Sequence, residues 1–473
     1  MSAGGALPAE VLLVSTYELG HQPLGLALTA AFLERAGVTS RSLDLSIEAL
    51  DESAVRGARV IAISVPMHTA LRLGVRVVER VLALHPSAEI VCFGHYAPLN
   101  ESYLRAHGVA HVLGGECEQE LVDLVRHRST RNEATRSLPI LERLDFPTPR
   151  RADLLPLSRY ARLLVDGESR VAGYTEASRG CKHMCRHCPI PPVYGGRFFV
   201  IPVETVLEDV RQLVAAGARH VTLGDPDFLN GPRHALAVLH AIHAEHPTLT
   251  LDFTAKVEHL LTQREHLAEF ARAGVLFVVS AVESVNDRVL AILDKGHTRA
   301  DVVTLSGLMR DAGVTLRPSL LPFTPWTGID GYLDLLDFLE HNRMLDAVDP
   351  VQLAIRLLLP PGSLLLEHPA MRPHLGALDE AALSWTWRHP DPRVDELAAA
   401  VSLAVEQDAA ANADAAHTFA RIRRLAETAA GRPLTSQPPQ LARTPPPRLS
   451  ESWFCCAEPT RMQMGLLEGG AKI

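Results

Sequence analysis

Cysteine is scarce in this chain, 7 among 473 residues, and the number is odd. Disulfide scaffolds are short and cysteine-dense, so a disulfide framework is not expected and the chain reads as cytoplasmic. Basic runs are missing as well: no five consecutive Lys or Arg occur and the formal net charge is -9. That balance argues against nucleic acid or an anionic membrane as the main partner and leaves a small-molecule substrate as the expectation. No uncharged apolar stretch approaches the roughly 18 residues a membrane helix needs. Met1 to Glu10 shows no basic segment followed by an apolar one, so neither export nor membrane insertion is expected. What the chain has is length and apolar content, 473 residues at 47% hydrophobic, enough for two or three domains with their own cores.

Three of the few cysteines are concentrated in Cys181-Lys-His-Met-Cys185-Arg-His-Cys188, a C-x3-C-x2-C loop just past a predicted strand, Arg170 to Ala177. Thiolates are soft ligands that select iron-sulfur clusters, zinc or copper over hard cations. A closed zinc site wants a fourth ligand, commonly from a second paired half-site, and none lies nearby. The next cysteines are Cys117 upstream and Cys455 with Cys456 far downstream. Three thiolates on a 4Fe-4S cube leave one iron open for a bidentate ligand. The spacing, with the aromatic His187 before the last cysteine, resembles the radical S-adenosylmethionine (SAM) superfamily. The resemblance implies a 4Fe-4S cluster on Cys181, Cys185 and Cys188, with SAM on the open iron. It also implies an external one-electron reductase such as flavodoxin or ferredoxin.

Along residues 1–126, short apolar runs alternate with helical patterns: Val11 to Ser15, Ser42 to Leu45, Val60 to Val65, Glu89 to Gly94 and His111 to Leu113. Five βα units predict a doubly wound, Rossmann-like parallel sheet. The first helix is predicted from about Pro23 to Ala36, with Gly37 just beyond its end. Its preceding loop, Glu18-Leu-Gly-His-Gln-Pro-Leu-Gly25, lies at the carboxyl end of the first strand, where open sheets bind ligands. With Pro23-Leu-Gly-Leu26 and Gly114-Gly-Glu116, the layout resembles the cobalamin-binding domain that precedes many radical SAM cores. The Asp-x-His-x-x-Gly loop that ligates cobalt is absent, and His21 reads as a loop histidine bonded to backbone. Bound cobalamin is therefore doubtful on these grounds.

Residues 127–160 read as a proline-interrupted linker. A second domain, 161–365, carries strand-like runs at Val171 to Thr175, His220 to Gly224, Leu249 to Thr254, Val275 to Ser280, Val314 to Leu320 and Val351 to Leu357. Six βα units predict the open (β/α)6 partial barrel of radical SAM cores. Residues 366–430 read as helical and alanine-rich, and 431–473 as a proline-rich tether with a Cys-Cys tail.

Ligand sites of parallel βα barrels lie at the carboxyl ends of the strands. There, Leu223-Gly-Asp225 stands where the superfamily places its contacts to the SAM amino group, which points to the Gly224 carbonyl and Asp225, although Asp-Pro is also an ordinary turn signal. Glu283 and Ser284 resemble ribose contacts, with helix capping as the alternative for Ser284. Lys256 and Arg317 are candidates for neutralising the SAM carboxylate, Arg by a bidentate pair; for Lys256 the alternative is a solvated surface residue.

Beyond the tether comes Trp453-Phe-Cys455-Cys456-Ala-Glu-Pro459. Neighbouring cysteines strain disulfide geometry, so as reduced thiols they form a soft two-sulfur clamp suited to a thiophilic atom such as trivalent arsenic, or to a metal. A buried pair, a resolving redox pair and ligands of a second cluster are the other readings. The tail resembles that of the CUAEP/CCAEP-tail radical SAM proteins. This resemblance implies transfer of the 3-amino-3-carboxypropyl group of SAM to arsenite, forming a carbon-arsenic bond as in arsinothricin biosynthesis, with Cys455 and Cys456 presenting the metalloid. Two further expectations stand beside it: a cobalamin-dependent radical SAM methyltransferase of a small natural product, and a metalloid or redox sensor.

Overall fold

The first apolar runs become five parallel strands, β1 (Val11–Ser15), β2 (Ser40–Asp44), β3 (Val60–Ser64), β4 (Glu89–Phe93) and β5 (His111–Leu113), in the order β2-β1-β3-β4-β5. Helices cover both faces, so β1 and β3 are buried along their whole length and read as continuous apolar runs. The strand order reverses between β1 and β3, which opens a crevice at their carboxyl ends. The helix Leu24–Arg35 starts directly after Pro23, and Gly37 follows it at φ +74. The computed structural model describes residues 9–127, 138–435, 439, 441 and 445–451. Cys455 and Cys456 lie outside the described residues.

The linker crosses from one sheet to the other and is pinned on the way. Ile140 bridges Gly115, and the Arg150 amide donates to the Ala27 carbonyl at 2.9 Å. Arg151 is buried and joins both domains. It holds Asp209 through Nε at 2.6 Å and Nη2 at 2.7 Å, Gln22 Oε1 at 2.7 Å and the Tyr174 carbonyl at 2.7 Å.

The second domain opens with a hairpin of β6 (Arg162–Val165) and β7 (Glu168–Thr175), then a short hairpin of β8 (Ser178–Gly180) and β9 (Phe198–Val200). From β7 the sheet continues in parallel through β10 (His220–Leu223), β11 (Thr250–Thr254), β12 (Val275–Glu283) and β13 (Thr315–Leu320). The expected sixth parallel strand, Val351 to Leu357, does not form. Pro350–Leu353 is a 3-10 turn, and a single bridge joins Phe323 to Arg356. Leu353 and Leu357 are nevertheless buried, and a short apolar run does not distinguish a strand from a buried turn. The sheet gains its extra strands at the opposite edge, where β6 runs antiparallel to β7.

Residues 366–430 are less purely helical than their alanine content suggests. A hairpin of β14 (Leu375–Asp379) and β15 (Ser384–Trp387) precedes the helices Pro392–Ala410 and Ala415–Ala430. The end of the tether then returns as β16 (Arg448–Leu449), antiparallel to β6, completing the order β13-β12-β11-β10-β7-β6-β16. No helix among the described residues is long and apolar enough to cross a membrane.

Candidate functional site

The cysteine loop emerges from β8, and a backbone constraint fixes its start. Gly180 sits at φ +76, and a Cβ there would lie 2.4 Å from the Tyr194 ring and 2.6 Å from the Arg197 carbonyl, so only glycine brings the chain into Cys181. Cys185 is buried, Cys181 and Cys188 are half-buried, and none of the three is in a disulfide. Burial pushes the Cys181 thiol up to about 11. Thiols so placed ionise on binding a metal rather than alone. Among the described residues the remaining cysteines, Cys92 and Cys117, are buried in the first domain. The donor set at the loop is therefore three sulfurs, which fits a cluster with one iron free.

Neighbouring elements hold the loop from three sides. Asn230 accepts from the Lys182 amide at 3.3 Å and lies 3.6 Å from Cys181 Sγ. Arg186 donates through its amide to the Leu293 carbonyl at 3.0 Å and through Nη1 to the carbonyls of Ala291 and Ile292. His183 stands between Lys256 Nζ, at 3.0 Å, and His259, at 2.9 Å, and Asp227 in turn lies 2.9 Å from His259 Nδ1. Burial and then Lys256 hold His183 down near 4. A neutral His183 can accept from Lys256 at Nδ1 and donate to His259 Nε2, whereas His259 Nδ1, although 2.9 Å from Asp227, makes no hydrogen bond among the described residues.

The residues expected from sequence occupy varied stations. Gly224 packs on Tyr174: a Cβ would fall 2.0 Å from the phenol, whose hydroxyl donates to the Gly224 carbonyl at 3.2 Å. Asp225 is buried and spent on the turn between β7 and β8, accepting from the Ala177 amide at 2.9 Å and the Ser178 hydroxyl at 2.5 Å. Lys256 is buried rather than solvated, bonded to His183 and to Glu258 at 3.1 Å. Glu283 ends β12 at φ +62, beside a register shift, and its Oε1 meets Lys295 Nζ at 3.3 Å and His187 Nε2 at 3.2 Å. Ser284 accepts from the Asn286 amide at 3.1 Å, while Asn286 caps the helix Asp287–Leu293. Arg317 pairs with Asp349 at 2.9 Å and donates to the Pro447 carbonyl at 3.4 Å, so its described partners belong to the tether side rather than to the cysteine loop.

The carboxyl ends of the two sheets face each other across a cleft of about 120 Å³. The first domain lines it with Glu18, His21, Ser64, Gly94, His95 and Cys117, and the second with Tyr174, Glu176, Arg179 and Pro226. Burial, then Asp44 and Glu176, push the Glu18 carboxyl up to about 8, and burial outweighs Arg179 to push Glu176 up to about 8 as well. Burial holds His21 and His95 down near 4. His21 stacks on Tyr174 with ring centroids 4.5 Å apart. Arg179 is engaged by Glu118 at 2.7 Å and Glu116 at 3.3 Å. Glu18 Oε1 and His95 Nδ1 are buried with no hydrogen-bond partner among the described residues. These orphaned atoms would suit a ligand fringed with amide donors and acceptors, as cobalamin is. Sequence reasoning missed Glu176 and Asn230, of which only the strand-end position of Glu176 was legible; Lys295, in a phrase that resembles ribose and carboxylate contacts of the superfamily, is instead bonded to Glu283.

A second cavity, about 330 Å³, opens at the ends of β1 and β2 between Tyr17, Ser46, Tyr160, Ser450 and Glu451. Here the tether touches the first domain, with the Tyr17 hydroxyl donating to Glu451 at 2.8 Å.

Residues 175–335 match the family model described as "Radical SAM superfamily". Hopanoid C-3 methylase of Methylococcus capsulatus is 24% identical over 324 residues, 64% of this chain and 62% of that protein. A tRNA-2-methylthio-N(6)-dimethylallyladenosine synthase of Chloroherpeton thalassium is 26% identical over 209 residues, 41% of this chain and 44% of that one. The chain thus spans about six tenths or less of these relatives' lengths. Among solved structures, the cobalamin-dependent radical SAM enzyme OxsB with aqua-cobalamin has a TM-score of 0.66 at 14% identity, covering 85% of this chain and 67% of that one. The radical SAM methyltransferase TsrM of Kitasatospora setae, with cobalamin and a 4Fe-4S cluster, has a TM-score of 0.65 at 15% identity, covering 89% and 99%. Both share the two-domain fold and both are described with cobalamin, so one missing loop motif is no longer a sufficient ground for doubting a corrinoid. The segment that matches the radical SAM superfamily model, residues 175–335, is the one that carries the three-cysteine loop.

Proposed function

We propose that the protein is a cobalamin-dependent radical SAM methyltransferase acting on a small molecule. The observation that carries this reading is the cleft in which the ligand ends of both sheets meet, with partnerless Glu18 Oε1 and His95 Nδ1 on the first-domain side. Cys181, Cys185 and Cys188 would hold the cluster, which supplies the electron for cleaving a carbon-sulfur bond of SAM. Cobalamin, when bound, supplies a methyl carrier. The chain's own residues bind and orient: the Gly224 carbonyl keeps a lone pair for the SAM ammonium, and Glu18, Ser64 and His95 offer polar contacts to corrinoid amides. An external one-electron reductase such as flavodoxin or ferredoxin feeds the cluster. The test is anaerobic reconstitution with cobalamin and methyl-labelled SAM. Stoichiometric cobalamin and a methylated product support the reading, and full activity without corrinoid overturns it.

A second reading follows the tether. Glu451 is held at the mouth of the first domain, and Cys455 lies four residues on, within about 14 Å of extended chain. In this reading the Cys455–Cys456 pair is a clamp bringing arsenite to SAM for aminocarboxypropyl transfer. Released methylthioadenosine with an arsenic adduct supports it; S-adenosylhomocysteine with 5′-deoxyadenosine and no adduct returns the assignment to methyl transfer.

A further inference from the structure

The segment that holds the cysteine loop carries a buried cation of its own. Lys295 is 2% exposed and follows the helix Asp287–Leu293, the same segment that Arg186 grips through three carbonyls. Those bonds lock the Cys185–Cys188 half of the loop to the backbone bearing Lys295. Ser363 adds a fourth tie by donating to the Arg186 carbonyl at 3.2 Å. Burial works against the lysine's charge, but Glu283, then Cys185 and Cys188, outweigh it and raise its proton affinity. The ammonium stays charged, and through Glu283 it is linked to His187, the residue next to Cys188.

Its counter-ion is held on the other side. Glu283 Oε1 is shared between Lys295 and His187, the residue next to Cys188. Burial would raise that carboxyl, and Lys295 and His187 hold it down at about 2. Glu283 reaches this place from a left-handed backbone conformation at a register shift in β12, a strain of the kind that persists where the surroundings demand one geometry. The result is a fixed Lys-Glu dipole packed behind the cysteine loop and shielded from solvent.

We propose that Lys295 is a positioning charge that raises the reduction potential of the cluster, with Glu283 setting how much of that charge the sulfurs feel. Adding an electron to a thiolate-bound cluster increases its negative charge. A desolvated cation nearby stabilises that state more than a solvated one would. The inference depends on the cysteine loop alone and stands whichever group the enzyme transfers.

The test is an EPR-monitored redox titration of the reconstituted protein without SAM, so a lost substrate contact cannot imitate the effect. Lys295→Met is expected to lower the reduced-to-oxidised ratio at a fixed potential at least tenfold, which is 59 mV for one electron. Lys295→Arg, which keeps the charge, is expected to stay near wild type. Glu283→Gln is expected to shift the potential upward, because the cation loses its partner. Equal potentials for wild type and Lys295→Met at equal iron content would overturn the proposal. Should Lys295→Met fail to take up iron, a downward or absent shift in Glu283→Gln would overturn it instead.

Discussion

Two buried glutamates, one on each side of the cleft region, are driven in opposite directions. Glu283, at the end of β12, is held near 2 despite burial because Lys295 and His187 face it; Glu18, at the end of β1, is pushed up to about 8 with only further carboxylates, Asp44 and Glu176, adding to the burial. Beside the cysteine loop the buried carboxylate is answered by a buried cation and a histidine. The first-domain side holds protons and partnerless polar atoms in place of counter-ions. A preformed cluster mount and a surface that awaits a ligand are thus distinguished by where the cations sit.

The comparison breaks most completely at the cysteines. Replacing any of Cys181, Cys185 or Cys188 by Ser should abolish the iron-sulfur chromophore and SAM cleavage, as iron analysis and nucleoside release will show, while the cobalamin binding proposed for the first domain should persist. Arg151→Met attacks the joint between the two sides. It leaves Asp209 buried and charged, and breaking a buried pair costs about 3–5 kcal/mol, measurable by denaturant unfolding. Gly180→Ala should cost about 1–3 kcal/mol through strain at positive φ and lower cluster occupancy, because the shift falls directly before Cys181.

The smallest effect sharpens the contrast through pH. Glu18 and Glu176 hold protons in the fold that the unfolded chain releases above about 4.5, so their contribution to stability declines as pH rises from about 4.5 to about 8. Glu283 behaves oppositely: its contribution is present above about 4.5 and is lost as pH falls toward 2. In thermal unfolding across pH, Glu18→Gln should flatten the decline on the alkaline side and leave the acid limb unchanged. Glu283→Gln should remove part of the acid limb.

Local patterns in the sequence were enough for β1, β3, β4 and β5, since strands buried on both faces are unbroken apolar runs. The same signal misplaced Val351 to Leu357, whose leucines are buried by a 3-10 turn. The antiparallel β16 was not legible, because two residues after a proline stretch carry no periodicity and pair with β6 only through long-range contact. The site divides in the same way. The three-cysteine loop is read from spacing, and Gly224 from its place at a strand end. Arg317 was read as a ligand contact, yet its described partners are Asp349 and Pro447, and Asp225 is consumed by the turn it stabilises.

The sequence by itself determined the chemistry available: three soft ligands within eight residues, alternating βα units and no second half-site. Those are local facts, settled by residue type and spacing. Only the tertiary structure decided which charges meet, pairing Glu283 with Lys295, burying Lys256 and leaving Glu18 without a cation. Electrostatic pairing and desolvation depend on distances of a few ångströms between residues far apart in the chain, and no pattern along the chain encodes them.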